Sequence, residues 1–305
     1  MWYNLKIEME NYMLEFKDIT IDELNKMEML LKSSGNFSCE FSKGNIFMWN
    51  IENEIKYAMV EGTPVFRNVE EETVVYSMPF YDEKSLVMEE LIEDVKMLKK
   101  TFILHLVSKA MREQLEAKYG DTFVYTTKED YSDYIYNVDE LIRLSGRKYH
   151  GKKNHINYFL KNYSYSYEKI NTSNIEECRI LKNQWVEAEE RTASADRESI
   201  AIDRAFDHYE ELGLVGGLIR VNGAVKAFTF GEALNEEVFV THVEKADAAI
   251  RGLYPMINHE FAVNELSSYQ YVNREEDMGI EGLRKAKQSY GPVLMWEKYE
   301  VKLND

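Results

Sequence analysis

The second half of the chain has the clearer pattern of apolar and polar positions. Apolar residues recur every three or four positions after Asn174, which predicts an amphipathic helix, and either Ser173 or Asn174 can cap it. A second helix of the same kind ends at Gly213. Two β-rich runs then flank Asn222-Gly223, the dipeptide favoured in a type I′ hairpin turn, and a strand over 238–244 completes an antiparallel meander.

The periodicity changes again after the meander. Pro255 suits the first turn of a helix, and a short strand over 269–272 leads into the polar loop 273–277. A helix from Ile280 and a last strand over 293–301 complete this half.

The first half repeats this order of elements more faintly, without visible sequence similarity. The pattern predicts helices near 21–31, from 82 and over 109–118, and strands over 46–49, 55–60, 73–78, 101–107 and 122–125. We therefore predict two α/β (α+β) domains of one architecture in tandem, residues 1–145 and 146–305, each with a mixed, mostly antiparallel central sheet. A basic helix at the start of the second domain links them.

Composition narrows the class of protein. The 305 residues include 37 Lys and Arg against 54 Asp and Glu, a net charge of −17, which argues against a surface that coats nucleic acid or anionic membrane throughout. The first residues do not form a signal peptide, and no apolar run reaches the length of a membrane helix. Cys39 and Cys178 have no partner spacing, so we expect a cytoplasmic protein with reduced thiols and no metal site.

Two segments resemble a known family. Residues 144–160 (LSGRKYHGKKNHINYFL) and 272–290 (VNREEDMGIEGLRKAKQSY) are similar to bacterial proteins classed with the C-terminal domain of phosphatidylglycerol lysyltransferases. That family is a tandem-GNAT arrangement similar to the Fem-type aminoacyltransferases. The resemblance covers nearly the whole chain and implies two tandem GNAT-like (acyl-CoA N-acyltransferase) domains that transfer an acyl or aminoacyl group.

The GNAT resemblance also locates a candidate active site. In that fold the fourth and fifth strands of a domain splay apart, and a backbone N–H there stabilises the oxyanion. The corresponding strands here are 238–244 and 269–272. His242 and Glu244, two residues apart and expected on one face, are candidate general bases, although they also suit a surface pair at a strand end. Tyr290 is either a general acid or a core residue.

Polar residues after the second of these strands are candidates for substrate binding. Arg274 stands out, because a guanidinium can hold a carboxylate or phosphate in bidentate fashion. The other polar residues of the loop 273–277 equally suit a loop exposed to solvent. Arg284 and Lys287, on the next helix, equally suit a helix face exposed to solvent. The candidate substrate-binding residues are Asn273, Arg274, Glu275, Glu276, Asp277, Arg284 and Lys287.

The basic segment 141–163 contains no acidic residue. We expect it to dock a phosphate-rich donor such as aminoacyl-tRNA, or an anionic lipid headgroup, unless it only balances acidic neighbours. The candidate anion- or donor-binding residues are Arg143, Arg147, Lys148, Lys152, Lys153 and His155. CoA-dependent members of the GNAT fold hold the CoA pyrophosphate with a glycine-rich turn. The corresponding turn here, 245–255, retains only Arg251-Gly252 of that motif, which disfavours acetyl-CoA as the donor.

The leading hypothesis is an acyl- or aminoacyltransferase that acts on an amine or hydroxyl acceptor. It would use aminoacyl-tRNA or acyl-CoA as co-substrate, with no tightly bound cofactor. A catalytically silent module that binds a small anion or metabolite is the first alternative, and an acetyl-CoA-dependent N-acetyltransferase is the second. The sequence does not define an oligomeric state.

Overall fold

The computed structural model describes residues 14–33, 35–80, 82, 84, 86–188 and 192–304. Its strands are β1 (Lys17–Asp18), β2 (Ile55–Val60), β3 (Thr63–Val69), β4 (Thr73–Ser77), β5 (Thr101–Val107), β6 (Phe123–Thr127), β7 (Asp133–Asn137), β8 (Tyr165–Lys169), β9 (Val215–Val221), β10 (Ala224–Ala233), β11 (Val238–Ala246), β12 (Tyr271–Asn273), β13 (Leu294–Trp296) and β14 (Tyr299–Leu303). Its helices are α1 (Ile21–Ser33), α2 (Lys43–Trp49), α3 (Met88–Leu98), α4 (Lys109–Tyr119), α5 (Val138–Arg143), α6 (His150–Asn162), α7 (Ile175–Ala188), α8 (Ala193–Asp207), α9 (Leu253–Glu265) and α10 (Glu281–Gln288).

The described strands form two mixed sheets of seven strands each. The first sheet has the order β1-β2-β3-β4-β5-β14-β6, and the second β13-β7-β12-β11-β10-β9-β8. Each contains one parallel pair, β4 with β5 and β11 with β12, and is otherwise antiparallel. The predicted pair of mixed, mostly antiparallel central sheets is confirmed.

Helices cover these sheets and bury their apolar faces. Residues of α6 and α9 pack with one face of the second sheet, and residues of α7 and α8 pack with its other face. The predicted hairpin is confirmed, since Asn222 and Gly223 have φ angles of 54° and 83°. Among the described helices, none combines the length and the apolar character that a bilayer crossing requires.

Two predicted strands are wrong. Residues 46–49 belong to α2, a helix capped by the Ser42 hydroxyl, which accepts a hydrogen bond from the Asn45 amide at 3.4 Å. An apolar run this short does not distinguish a buried helix from a strand. The predicted strand 293–301 is two strands, because the chain leaves the second sheet after Trp296 and enters the first at Tyr299.

The two sheets exchange strands. β7 precedes residue 146 yet pairs with β12 and β13 of the second sheet, while β14, at the other end of the chain, lies between β5 and β6 of the first. The predicted boundary between residues 145 and 146 stays a prediction, but the segments on either side of it each complete the other's sheet.

A buried ammonium marks the crossing between sheets. Lys298, between β13 and β14, has a 4% exposed side chain, and its Nζ lies 2.8 Å from Asp133 Oδ1 and 2.6 Å from Glu40 Oε1. Burial opposes the charged form, but the two carboxylates outweigh it and raise the pKa of Lys298 well above its ordinary value. The crossing segment is therefore fixed to β7 and to residue 40 by charge.

We predict that Val301→Ala in β14 lowers the free energy of unfolding by about 2 kcal/mol. Val301 is fully buried and lies opposite Leu104 of β5 and Tyr125 of β6, so truncation leaves a cavity where the exchanged strand joins them. Urea unfolding measures the change. The matched control is Leu303→Ala in the same strand, where the side chain is 39% exposed and the effect should be below about 0.5 kcal/mol. Equal losses in both variants would contradict a structural role for β14.

Candidate functional site

The candidate site lies where β11 and β12 separate. The two strands pair in parallel only at Val238–Tyr271, Phe239–Val272 and Val240–Asn273. β12 then ends, whereas β11 continues to Ala246, so residues 241–246 have no β12 partner. We call residues 241–246 together with 274–277 the β11–β12 split.

A β-bulge interrupts β11 inside the split. Phe230 and Gly231 are consecutive in β10, but they lie opposite Val243 and Thr241, which leaves His242 as an extra residue. A Cβ at Gly231 would overlap the backbone of β11, so this register requires glycine.

The bulge separates the two candidate bases. Glu244 points towards α9, where Asn258 donates to its Oε2 at 3.1 Å, and His242 points to the opposite face, towards Glu232. The expectation that His242 and Glu244 share a face is wrong, because the extra residue breaks the two-residue alternation of the strand.

His242 is fully buried between two carboxylates. Its Nδ1 lies 2.9 Å from Glu275 Oε1 and its Nε2 lies 3.0 Å from Glu232 Oε1. Burial lowers its pKa, but the hydrogen bonds to Glu232 and Glu275 outweigh burial and raise the pKa to about 9. The same carboxylates accept from the Gly44 amide at 2.5 Å and from the Asn45 side chain at 3.2 Å. At neutral pH His242 is therefore an imidazolium that holds the split against α2, and neither ring nitrogen is free to accept a proton.

Charged groups also gather on the α9 side of the split. Arg274 Nη2 donates to Glu244 Oε1 at 3.0 Å, and both side chains are largely buried. The Arg274 guanidinium carbon lies 4.8 Å from the centroid of the Tyr290 ring, and Lys152 Nζ lies 3.7 Å from it. Burial strongly raises the pKa of Tyr290, which stays a phenol. The structure thus brings together four predicted residues, and Lys152 reaches them from the basic helix α6.

Three other candidate substrate-binding residues make internal contacts that shape the loop after β12. Asp277 accepts from Tyr134 at 2.6 Å and from Arg284 at 2.8 Å, and Arg284 lowers the pKa of that carboxyl strongly. Lys287 Nζ donates to the backbone carbonyls of residues 274, 275 and 276, and Glu275 has a φ of 59°. These contacts fix where Arg274 and Glu275 point.

Asn273 and Glu276 point towards the strand crossing. Asn273 donates to Asp133 Oδ2 at 2.9 Å, and burial raises the pKa of Glu276 to about 7. Cys39, Asp133 and Glu276 offer ligand atoms within 4.8 Å of one another. Lys298 Nζ lies 2.8 Å from Asp133 and 3.6 Å from Glu276, so an ammonium already supplies positive charge to this cluster.

Apart from Lys152, the candidate residues of the basic segment fall into two groups. Arg143 and Lys148 pair with Asp139 and Glu140 at 2.8 and 2.7 Å, as expected if the segment balances acidic neighbours. The other group is exposed to solvent and consists of Arg147, Lys153 and His155. The sequence did not predict the roles of Asn258, which donates to Glu244, and of Tyr136, whose ring lies beside Arg274. For Asn258 the available signal was an asparagine on the otherwise apolar face of α9.

Helix α6 also covers the turn that corresponds to the CoA motif. Gly252 has a φ of 91° at the N-terminus of α9, and a Cβ there would overlap the carbonyl oxygen of His155. The close approach of α6 leaves no room for a side chain at residue 252.

The chain matches the family described as phosphatidylglycerol lysyltransferase, C-terminal, over residues 32–302. A crystal structure of a conserved protein of unknown function from Bacteroides thetaiotaomicron is 39% identical, with a TM-score of 0.91 over 96% of this chain and 100% of that one. The C-terminal domain of a putative lysylphosphatidylglycerol synthetase from Agrobacterium fabrum has a TM-score of 0.67 at 11% identity, over 93% of this chain and 91% of that one. FemX has a TM-score of 0.64 at 11% identity, over 94% of this chain and 97% of that one.

A curated relative matches part of the chain. An uncharacterized protein of Mycoplasmoides gallisepticum is 25% identical over 197 residues, which are 63% of this chain and span only 61% of that protein. The fold is that of the tandem GNAT-like proteins. The chain belongs to the family of phosphatidylglycerol lysyltransferase C-terminal domains.

We predict that the stabilising effect of His242 is lost at high pH. Its pKa rises from 6.5 to about 9 on folding, so its contribution, on the order of 3 kcal/mol, is complete below pH 6.5 and disappears as the pH passes 9. Chemical unfolding of the wild type and His242→Gln from pH 6 to 10 should show two curves that converge with rising pH. The exposed His155→Gln is the control, and a constant gap for His242→Gln would exclude the buried imidazolium.

We predict opposite effects for two glycine substitutions beside α6. Gly252→Ala should destabilise the protein by more than about 1 kcal/mol, because of its positive φ and its contact with His155. Gly151→Ala, within α6 and with open space around it, should stabilise by about 0.5–1 kcal/mol. Thermal unfolding measures both, and a tolerated Gly252→Ala would contradict the close packing of α6 on the turn.

Proposed function

We propose that this protein transfers an acyl or aminoacyl group to an amine or hydroxyl acceptor at the β11–β12 split. One observation carries the proposal: β11 loses its parallel partner beyond Val240, and Glu244, Arg274 and Lys152 collect beside that unpaired edge. A strand edge without a partner offers backbone N–H groups to a carbonyl oxygen that becomes negative during acyl transfer. Membership of the lysyltransferase-related family supports the same class of reaction.

Glu244 is the proposed general base. The acceptor nitrogen or oxygen bonds to the donor carbonyl carbon, and its proton passes to the Glu244 carboxylate. Backbone N–H groups of the split hold the resulting oxyanion until the bond to the donor's leaving oxygen breaks. Tyr290, which remains a phenol, is proposed to protonate that oxygen and to recover a proton from Glu244.

His242 is proposed as a positioning residue instead of a base. Its imidazolium holds Glu275, and through Glu275 the loop that carries Arg274. Arg274 is proposed to bind the anionic part of a substrate.

Aminoacyl-tRNA is the proposed donor. Arg147, Lys153 and His155 are exposed on and before α6, in a segment without acidic residues, which suits contact with a phosphate backbone. Coverage of the Gly252 turn by α6 disfavours the pyrophosphate of acyl-CoA at that position.

A second candidate function is binding of a small anion without catalysis. Two charged contacts, His242–Glu275 and Glu244–Arg274, span the split and join its two sides. A site closed in this way favours ligand binding over transfer.

We predict that purified protein transfers radiolabelled amino acid from charged tRNA to small amines, hydroxyl compounds or phosphatidylglycerol vesicles. Glu244→Gln should reduce the rate about a hundredfold or more, because it removes the base. The matched control is Glu237→Gln, an exposed glutamate just before β11, which should retain the full rate.

Acyl-CoA compounds tested in parallel distinguish the donor. Transfer from acyl-CoA alone would replace the tRNA proposal. No turnover with any donor, together with unchanged ligand binding in Arg274→Ala, would contradict both candidate functions.

A further inference from the structure

The α9 side of the split has an excess of positive charge. Arg274 uses one terminal nitrogen, Nη2, to bind Glu244, while its Nη1 is buried and has no hydrogen-bond partner among the described residues. Lys152 makes no ion pair with any described carboxylate. Two cations therefore surround a single carboxylate in a largely buried region.

An unpartnered N–H of a buried guanidinium is costly, because it loses water and gains no acceptor. Such a group calls for an explanation, and a bound ligand that supplies the acceptor is one. The ring of Tyr290 brings the two cations together, with Lys152 Nζ 3.7 Å and the Arg274 guanidinium carbon 4.8 Å from its centroid. A ligand of one negative charge would satisfy Nη1 and balance the charge.

We propose that Arg274 and Lys152 form a binding site for a singly charged oxyanion, a carboxylate or a phosphodiester, and that the anion binds together with a proton on Lys152. The inference deepens the proposed function and rests on it only for the identity of the site. A doubly charged anion would leave the buried site with an uncompensated negative charge, so monoanions are preferred.

The surroundings of Lys152 explain the coupling to a proton. Burial first, and then the nearby Arg274, lower the pKa of Lys152 to about 8, while Glu244 opposes them. A bound anion opposes Arg274 and raises this pKa. Binding above pH 8 therefore takes up a proton, and affinity falls as the pH rises.

Several other ionisable groups lie around Lys152. Tyr290, Tyr136 of β7 and Tyr149, which precedes α6, all have raised pKa values because of burial. On α9, His259 Nδ1 contacts the Leu141 carbonyl at 3.2 Å. Along the basic segment itself, Lys148 pairs with Glu140, and Lys153 and His155 are exposed.

Isothermal titration calorimetry with dimethyl phosphate and with acetate tests the proposal on the whole protein. Titrations from pH 7 to 9, in two buffers of different ionisation enthalpy, measure affinity and proton uptake. We expect roughly tenfold weaker binding at pH 9 than at pH 7, and proton uptake approaching one at the higher pH. Stronger binding of dimethyl phosphate identifies a phosphodiester ligand, and stronger binding of acetate identifies a carboxylate.

Lys152→Met should weaken binding at pH 7 and remove both the pH dependence and the proton uptake. Lys161→Met is the matched control, since this exposed lysine near the other end of the same helix should leave all three unchanged. Absence of binding for both anions, equal binding of sulfate, or the same result for both variants would overturn the proposal. Because no donor or acceptor is present, the outcome is independent of whether the protein catalyses transfer.

Discussion

The contact of the Lys298 ammonium with Asp133 is the interaction on which the position of the site depends. Moving two charges out of water costs several kcal/mol, which only close contacts such as the 2.8 Å pair here can offset. Asp133 also accepts a hydrogen bond from Asn273, whose own side-chain oxygen accepts from the Glu275 amide at 2.6 Å. A continuous set of polar contacts therefore runs from the strand crossing to the loop that carries Glu275 and Arg274.

Two cations beside the split, the fully buried His242 side chain and the partly buried Lys152, differ in chemical character. His242 has a carboxylate on each ring nitrogen, and its charge is fixed across the neutral range. Lys152 faces an aromatic ring and a second cation, and its pKa falls to about 8. The difference lies mainly in the partners, since His242 contacts two carboxylates whereas Lys152 lies beside a cation and only one carboxylate. One cation maintains the geometry of the bulge, whereas the other responds to whatever approaches Arg274.

The sequence predicted the meander, its turn and most of the helices, because these depend on local periodicity. It did not predict the exchange of β7 and β14, since nothing in a five-residue strand identifies the sheet it will join. Four residues of the candidate site, Glu244, Arg274, Tyr290 and Lys152, were named from the sequence, but in three separate roles. Their assembly depends on the bulge at His242 and on the packing of α6. The requirement for glycine at position 231 is visible only in the pairing register of β10 with β11. Charge patterns alone also could not distinguish Lys152 from the exposed Lys153.

The exchanged strand has a consequence for how the protein is made. During synthesis on the ribosome, β1 to β6 emerge before β7 to β13, but β5 and β6 are not neighbours in the first sheet and remain separated by the empty position of β14. Residues 128–298 must be translated before residues 299–303 can occupy that position. Six strands of the first sheet are therefore synthesised before any strand of the second, yet the first sheet is completed after them. Throughout that interval the edges of β5 and β6 that β14 will cover have no partner strand, and unpaired strand edges are sites of association with other chains.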